Sequence, residues 1–133
     1  NKGITLKDLT IADNVYADRS MVEIIIQNLL ANAVKFCVKG DTITIANSID
    51  NGNSIISVAD SGVGISLENQ NKLFNNNTFT TVGTGNEKGT GLGLTICKEL
   101  IELNKGRIWV ESELNVGSTF YVELPRSKTV LNT

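Results

Sequence analysis

The sequence predicts an α+β fold, in which one mixed, mostly antiparallel sheet carries about three helices on a single face. Two pairs of alternating segments each flank a short turn, which is typical of β-hairpins. Two longer segments, residues 19–38 and 92–103, have the apolar spacing of helices. A chain of 133 residues with 41% hydrophobic content can bury one core. We therefore expect one domain over residues 1–125, followed by a polar tail or linker start at residues 126–133.

The N-terminal region predicts a sheet edge followed by a long helix. One or two half-buried strands are indicated by six apolar residues that polar residues largely separate: Ile4, Leu6, Leu9, Ile11, Val15 and Tyr16. Asp18 and Ser20 are residue types that cap helices, and no glycine or proline interrupts residues 19–38. We expect a buried helix there, ended by Gly40 and Asp41.

A tight hairpin is predicted next, because residues 42–49 and 54–59 alternate around the Asp-Asn-Gly-Asn turn at 50–53. Residues 66–74 are compatible with a short helix. Residues 75–88 are rich in Asn, Thr and Gly and predict a mobile loop.

The C-terminal half predicts a second core helix over residues 92–103, with Gly106 as its terminator. Residues 107–113 and 119–124 then alternate as a last hairpin, joined by a turn at 115–117.

Composition excludes several functional classes. The net charge of −2 indicates no polyanion-binding surface, so we expect no nucleic-acid partner. No apolar run approaches the roughly 20 residues that cross a bilayer. We therefore expect a soluble, cytoplasmic domain without membrane contact, whether or not its parent protein is anchored in a membrane. Cys37 and Cys97 are too few for a disulfide framework, and we interpret them as packing residues.

The chain contains no histidine. This excludes a Ser-His-Asp triad, a histidine general base and a phosphohistidine acceptor within it.

The long helix carries one polar stripe. Asn28, Asn32 and Lys35 fall within about 60° of one another on a helix with about 100° per residue. An apolar stripe lies about 120° away on the same helix, and its members are Val22, Ile25, Leu29, Ala33 and Phe36. Amide oxygens suit Mg²⁺ and a lysine suits phosphate. A solvated helix face would have the same spacing, so the stripe alone leaves both interpretations open.

Three short motifs add to this stripe. Residues 60–64, Asp-Ser-Gly-Val-Gly, place a carboxylate at a strand end, where it can accept a hydrogen bond from an amino group such as adenine N6; an ordinary turn is the alternative. Residues 88–94, Lys-Gly-Thr-Gly-Leu-Gly-Leu, form a glycine-rich loop that enters a helix, which is an anion site unless it is only a hinge. Residues 117–120, Gly-Ser-Thr-Phe, form a turn with a hydroxyl that can support Asp60.

In this order the motifs resemble the GHKL superfamily of ATP-binding (HATPase) domains, specifically its branch in two-component sensor histidine kinases. The resemblance covers nearly the whole chain. Its motifs are the N box at residues 26–36, the first glycine box at 60–64, the F box at 73–74 with Phe79, the second glycine box at 89–94, the strand at 107–112 and the third glycine box at 117–120.

The resemblance implies a Bergerat-type two-layer α/β sandwich. It implies that Mg²⁺-ATP binds under a lid and that the γ-phosphoryl group passes to a histidine on the separate dimerisation helices of the same parent protein, and then to a response regulator. Mg²⁺ is expected at Asn32, and the catalytic candidates are Asn28, Asn32 and Lys35. The expected nucleotide contacts are Asn32, Lys35, Phe36, Asp60, Gly62, Gly64, Ile65, Phe79, Lys88, Gly89, Thr90, Gly91, Leu92, Gly93, Leu94 and Thr119.

Two positions depart from the family pattern. Hydrolases of the superfamily carry a water-activating glutamate where this chain has Asn28, and an amide cannot take that proton. The F box lacks the arginine that often follows its aromatic residue, because Phe79 precedes two threonines. We hypothesise that Lys35 or Lys88 replaces this arginine. If replacing each lysine by alanine leaves phosphotransfer unchanged, the hypothesis is contradicted.

Two other functions compete with a histidine kinase. A degenerate module that only docks to partners is disfavoured by the intact glycine boxes. A GHKL ATPase or serine kinase is disfavoured by Asn28 and by residues 32–36 and 107–112, which resemble histidine kinases more.

Overall fold

The computed structural model describes residues 3–10, 17–70 and 92–126. Within these ranges the chain forms, in order, β1 (Thr5–Asp8), α1 (Arg19–Lys35), β2 (Thr42–Asp50), β3 (Asn53–Asp60), α2 (Leu67–Gln70), α3 (Leu92–Leu103), β4 (Arg107–Glu113) and β5 (Gly117–Pro125). The loop predicted at residues 75–88 lies outside the described residues, as do most of the predicted tail and the second part of the N-terminal strand pattern.

The strands form one sheet with the order β1-β2-β3-β5-β4. β1 is parallel to β2, and the other three neighbouring pairs are antiparallel. The prediction of a mixed, mostly antiparallel sheet is therefore confirmed. β5 lies between β3 and β4, so that Ser118 at its start is paired with Asp60 at the end of β3. This topology brings the last hairpin turn to the end of β3.

The first hairpin turns within the predicted residues 50–53, and its strands extend to Asp50 and from Asn53, which leaves two residues in the turn. Asn51 and Gly52 both have positive φ angles, 52° and 81°. Such a turn is type I′, whose twist matches that of the flanking strands, and the Asn-Gly pair tolerates these angles best.

The long helix α1 begins where the sequence predicts, because the Asp18 side chain accepts a hydrogen bond of 3.0 Å from the backbone N–H of Met21. Its predicted end at residue 38 is wrong, since the helix ends at Lys35. The backbone N–H groups of Phe36 and Cys37 bond three residues back, at 3.2 and 3.1 Å, and this tighter turn ends the helix.

The second core helix, α3, has the predicted bounds, but Gly106 is not its left-handed residue. Lys105 has the positive φ of 66°, and the N–H of Gly106 donates to the carbonyl of Ile101 at 2.9 Å. This is the hydrogen-bond pattern of a Schellman cap. A glycine follows because a Cβ there would collide with the backbone oxygen of Glu123.

The core lies between the sheet and the two long helices. It contains the buried residues Ile25, Leu29, Ala33, Cys37, Ile43, Val58, Ile65, Leu94, Cys97, Ile101, Phe120, Val122 and Leu124. α1 packs against α3 and β3, and α3 packs against β4. The apolar stripe predicted on α1 is confirmed by Ile25, Leu29 and Ala33.

The edge strand β1 is less buried than the sequence predicts. All four of its residues are exposed, and only the preceding Ile4 packs against the core. Its position at the sheet edge is as predicted.

Candidate functional site

The polar stripe of α1 contains one buried amide without a partner. Asn32 Nδ2 is buried and makes no hydrogen bond within the described part of the chain. One turn earlier, Asn28 Nδ2 donates to the backbone oxygen of Ile24 at 2.9 Å. This bond uses an N–H of the amide, and the amide oxygen of Asn28 is an acceptor that a ligand can use. A buried amide donor without an acceptor is costly, so an external ligand at Asn32 would relieve a defect of the fold.

The last turn of α1 adds a partly buried cation. Lys35 Nζ lies 5.1 Å from the centre of the Phe36 ring. Burial lowers the pKa of the Lys35 ammonium from its usual value of 10.5. The ammonium has therefore already lost part of its hydration shell, which favours interaction with an anion.

The end of α1 is bonded to the loop after β3. The backbone oxygen of Phe36 accepts a hydrogen bond of 3.1 Å from the N–H of Val63. Gly62 packs so closely on the same carbonyl that a Cβ at this position would overlap it. The polar stripe and the Asp60 loop therefore form one fixed unit.

Asp60 is a buried carboxylate at the end of β3, with 8% of its surface exposed. Its Oδ1 accepts a hydrogen bond of 2.9 Å from the N–H of Gly62, and the backbone N–H of Ser118 also donates to the carboxylate. Burial is the largest influence and raises the pKa of Asp60 above 3.8, although both hydrogen bonds oppose the rise. Such a buried acceptor fits a ligand that brings its own N–H donor.

Gly64 closes the other side of the Asp60 loop. It has a φ of +77°, and a Cβ there would overlap the backbone of Glu113. The neighbouring N–H of Asn115 donates to the carbonyl of Val63 at 2.7 Å. The loop is thus pinned to the β4–β5 turn by backbone contacts that only glycine permits.

The hydroxyl on the Asp60 face belongs to Ser118. Neighbouring residues of a strand point to opposite faces, and Asp60 pairs with Ser118, whereas Thr119 pairs with Ala59. Thr119, the predicted nucleotide contact, alternates to the other face of β5, although it lines the same cavity as Asp60 and Ser118. Ser118 is 4% exposed, and its Oγ lies 2.7 Å from Ser112 Oγ. The hydroxyl paired with Asp60 across the two strands is therefore that of Ser118.

A cavity of about 350 Å³ opens at the same end of the sheet. It is lined by Asp60, Glu111, Ser112, Glu113, Val116, Gly117, Ser118 and Thr119. Several lining groups are carboxylates, which repel phosphate and attract amino groups. This end of the site therefore suits a base better than a phosphate chain.

The described residues place only part of the predicted glycine-rich phosphate loop. Leu92 and Gly93 belong to the first turn of α3, and Leu94 is buried in the core. The other predicted contacts, at residues 79 and 88–91, lie outside the described ranges. Ile65 is also buried, so its side chain packs in the core beside the Asp60 loop.

The residues present fit both groups that the resemblance implies. For ATP, the buried carboxylate of Asp60 can accept a hydrogen bond from the amino group of adenine, and the unpartnered amide nitrogen of Asn32 can donate to an oxygen. For Mg²⁺, the amide oxygens of Asn28 and Asn32 are hard ligands of the type the ion prefers.

Comparisons with known proteins agree with this geometry. A family model described as histidine kinase-, DNA gyrase B-, and HSP90-like ATPase matches residues 17–128. The chain is 36% identical over 113 residues to the adaptive-response sensory kinase SasA of Prochlorococcus marinus, covering 84% of this chain and 30% of SasA. The chain thus spans about 30% of the length of this curated relative.

Solved structures give the same result. The catalytic domain of histidine kinase ThkA has a TM-score of 0.78 at 33% identity, covering 94% of this chain and 80% of that one. ThkA in complex with the response regulator protein TrrA has a TM-score of 0.73 at 29% identity, covering 93% of this chain and 34% of that one.

Within the described ranges, no helix has the length and apolar character needed to cross a membrane. The match of the family model, the similarity to sensor kinases and the α+β sandwich all lead to one assignment. The chain belongs to the family of histidine kinase-, DNA gyrase B- and HSP90-like ATPase domains.

Proposed function

We propose that this chain binds Mg²⁺-ATP and donates the γ-phosphoryl group to a histidine on the dimerisation helices of its parent protein. The observation that carries this proposal is the bond from Val63 to the Phe36 carbonyl, which holds the Asp60 loop against the end of α1. A base anchor and a polar, phosphate-facing stripe are thereby kept at a fixed separation, as phosphoryl transfer requires.

Asp60 anchors the adenine. Its buried carboxylate accepts a hydrogen bond from the exocyclic amino group, and Gly62 and Gly64 hold the loop in place because they pack directly on the backbones of Phe36 and Glu113. We propose that Phe36, Ile65 and Leu94 border this part of the site.

Asn28, Asn32 and Lys35 serve the phosphate end. The amide oxygen of Asn32 is the proposed magnesium ligand, and Lys35 offers a partly desolvated ammonium to phosphate oxygens. When bound, Mg²⁺ supplies charge neutralisation to the phosphate chain. Residues 88–91 are proposed to cover the remaining phosphate oxygens with backbone N–H groups.

The acceptor lies outside this chain, which has no histidine. An imidazole nitrogen attacks the γ-phosphorus, a nitrogen–phosphorus bond forms, the bond to the β,γ-bridging oxygen breaks, and ADP leaves. The imidazole is itself the nucleophile, so the site needs no water-activating base. Asn28 is compatible with this reaction, because its amide is not a base and none is needed at that position.

The phosphoryl group then passes to a response regulator. The complex of ThkA with TrrA, at 29% identity to this chain, supports a partner of this class. We further propose that the domain works in the cytoplasm and that residues 126–133 begin a linker.

Reconstitution tests the proposal. The chain is mixed with the histidine-bearing helical domain of its parent protein and ATP labelled at the γ-phosphorus, and the label is followed over time. We expect labelled histidine, and a rate reduced about a hundredfold by Asn32→Ala. Gln27→Ala, on the exposed side of the same helix, is the matched control and should leave the rate unchanged. A chain that binds ATP but labels no histidine contradicts a kinase.

A further inference from the structure

We propose that Ser112 of β4 is a positioning residue that makes the base-binding end of the site selective for a 6-aminopurine over a 6-oxopurine. The proposal rests on the nucleotide-binding function above, and Ser112 acts through Ser118 and the Ile65 peptide. Neither its position in the sequence nor the box motifs single it out, because its role depends on the order of strands in the sheet.

Ser112 Oγ is the meeting point of three segments. It accepts a hydrogen bond of 2.8 Å from the backbone N–H of Ile65, in the loop after Asp60. It lies 3.0 Å from the backbone oxygen of Gly117 and 2.7 Å from Ser118 Oγ, both in β5. The Ser112 hydroxyl thus joins the Asp60 loop to β5, the strand in which Ser118 is paired with Asp60.

Counting protons gives this cluster two states. Ser112 has one hydroxyl proton and two acceptors for it, the Gly117 oxygen and Ser118 Oγ. If the Ser112 proton points to the Gly117 oxygen, the 2.7 Å contact between the two hydroxyls requires Ser118 to donate its own proton to Ser112. If the Ser112 proton points to Ser118, the Ser118 proton is not used in this contact and can point towards the site. Ser112 therefore determines whether Ser118 can act as a donor beside Asp60.

The released state matches one class of base. A 6-aminopurine presents an amino donor next to a ring-nitrogen acceptor, and a 6-oxopurine presents a carbonyl acceptor next to a ring N–H donor. The Asp60 carboxylate accepts from the amino group, and a hydroxyl donor on the same face complements the ring nitrogen. Without Ser112, Ser118 loses the partner that orients its proton, and the preference for the amino base falls.

The contacts of Gln70 make it possible to distinguish support of the Asp60 loop from orientation of the Ser118 proton. Gln70 Nε2 donates to the Ile65 oxygen at 2.7 Å and to the Ser112 backbone oxygen at 3.2 Å. Gln70 therefore holds the same loop without touching either hydroxyl. Replacing Gln70 weakens loop support alone, whereas replacing the Ser112 side chain removes both loop support and proton orientation.

The test is calorimetric titration of the intact chain with the β,γ-imido analogues of ATP and ITP. We expect Ser112→Ala to weaken binding of the ATP analogue about tenfold, as for the loss of one hydrogen bond to a charged or oriented group. The ratio of the dissociation constants for the ITP and ATP analogues should also fall. Ser112→Thr, which keeps the hydroxyl, should restore both quantities. Gln70→Ala should leave the preference intact.

Ser54→Ala is the matched control, because it removes a buried serine hydroxyl at the opposite end of β3. Its affinity and preference should equal those of the wild type. If Ser112→Ala lowers the unfolding midpoint but changes neither binding quantity, the residue is only structural and the inference is overturned. If alanine prevents folding, Ser118→Ala tests the same hydroxyl pair, and an unchanged preference overturns the inference.

The two proposals fail differently. A folded wild-type chain that binds neither analogue contradicts the proposed function and this inference with it. A wild-type chain that binds the ATP analogue, with Ser112→Ala unchanged in affinity and preference, contradicts this inference alone.

Discussion

The backbone N–H of Gly62 donates to Asp60 Oδ1 at 2.9 Å, within a loop that buries the carboxylate almost completely. Burial nevertheless raises the pKa of Asp60 above 3.8. The fold therefore holds a charge that is unfavourable for its own stability, which is common where a site must meet a ligand.

Asp60→Asn should stabilise the ligand-free protein near neutral pH while weakening ATP binding. The raised pKa means that the folded state favours the protonated acid, so the stability contributed by Asp60 is present below pH 3.8 and is lost as pH rises through the folded pKa. The difference in urea midpoint between the variant and the wild type should thus grow from low pH and then level off. A difference that shrinks as pH rises would contradict the burial argument.

Asn32→Ala should cost the ligand-free protein little stability, at most about 1 kcal/mol, because the buried Nδ2 has no partner to lose among the described residues. Leu29→Ala, from the apolar stripe of the same helix, should cost about 2–5 kcal/mol. Urea unfolding compares the two variants. Equal losses would mean that the Asn32 amide is satisfied within the fold.

Gly64→Ala should destabilise the protein more than Gly40→Ala. Both glycines have positive φ angles, +77° and +97°, so both variants share a left-handed strain of roughly 1–2 kcal/mol. Only Gly64 faces the Glu113 backbone, and nothing lies within 4 Å of a Cβ at Gly40. The overlap adds about 1–3 kcal/mol. Thermal unfolding measures this difference, and equal midpoints would refute the close approach.

The Cys97 thiol should resist modification in the folded protein. It is fully buried near the Ile25 backbone oxygen, and burial raises its pKa to about 11. Because the unfolded thiol ionises first, its contribution to stability is lost as pH rises from about 9 to about 11. An aromatic disulfide reagent at pH 8 should react with Cys97 only in denaturant. Fast reaction in buffer would contradict the packing of α3 on α1.

Local patterns predicted much of this fold. The Asn51-Gly52 hairpin and the bounds of α3 follow from turn chemistry and apolar spacing, which act within a few residues. The early end of α1 was missed because it depends on the contact of Phe36 with Val63, far along the chain. The exposure of β1 likewise depends on its position at the sheet edge.

The site was predicted at the level of motifs rather than atoms. The positions of Asp60 and of the α1 stripe follow from the sequence. Thr119 stays a predicted nucleotide contact, and counting back two residues from the buried Phe120 adds Ser118 on the core face. Ser112 was missed because the predicted β4–β5 hairpin does not by itself show that β5 lies beside β3 and the Asp60 loop.

The most direct test of the central claim is calorimetric titration of this chain with a non-hydrolysable ATP analogue, with and without Mg²⁺, next to the Asn32→Ala and Asp60→Asn variants. We predict binding that Mg²⁺ strengthens and that each substitution weakens about tenfold or more. A folded wild-type chain that shows no heat of binding, or binding unaffected by both substitutions, would contradict a nucleotide site built on Asn32 and Asp60.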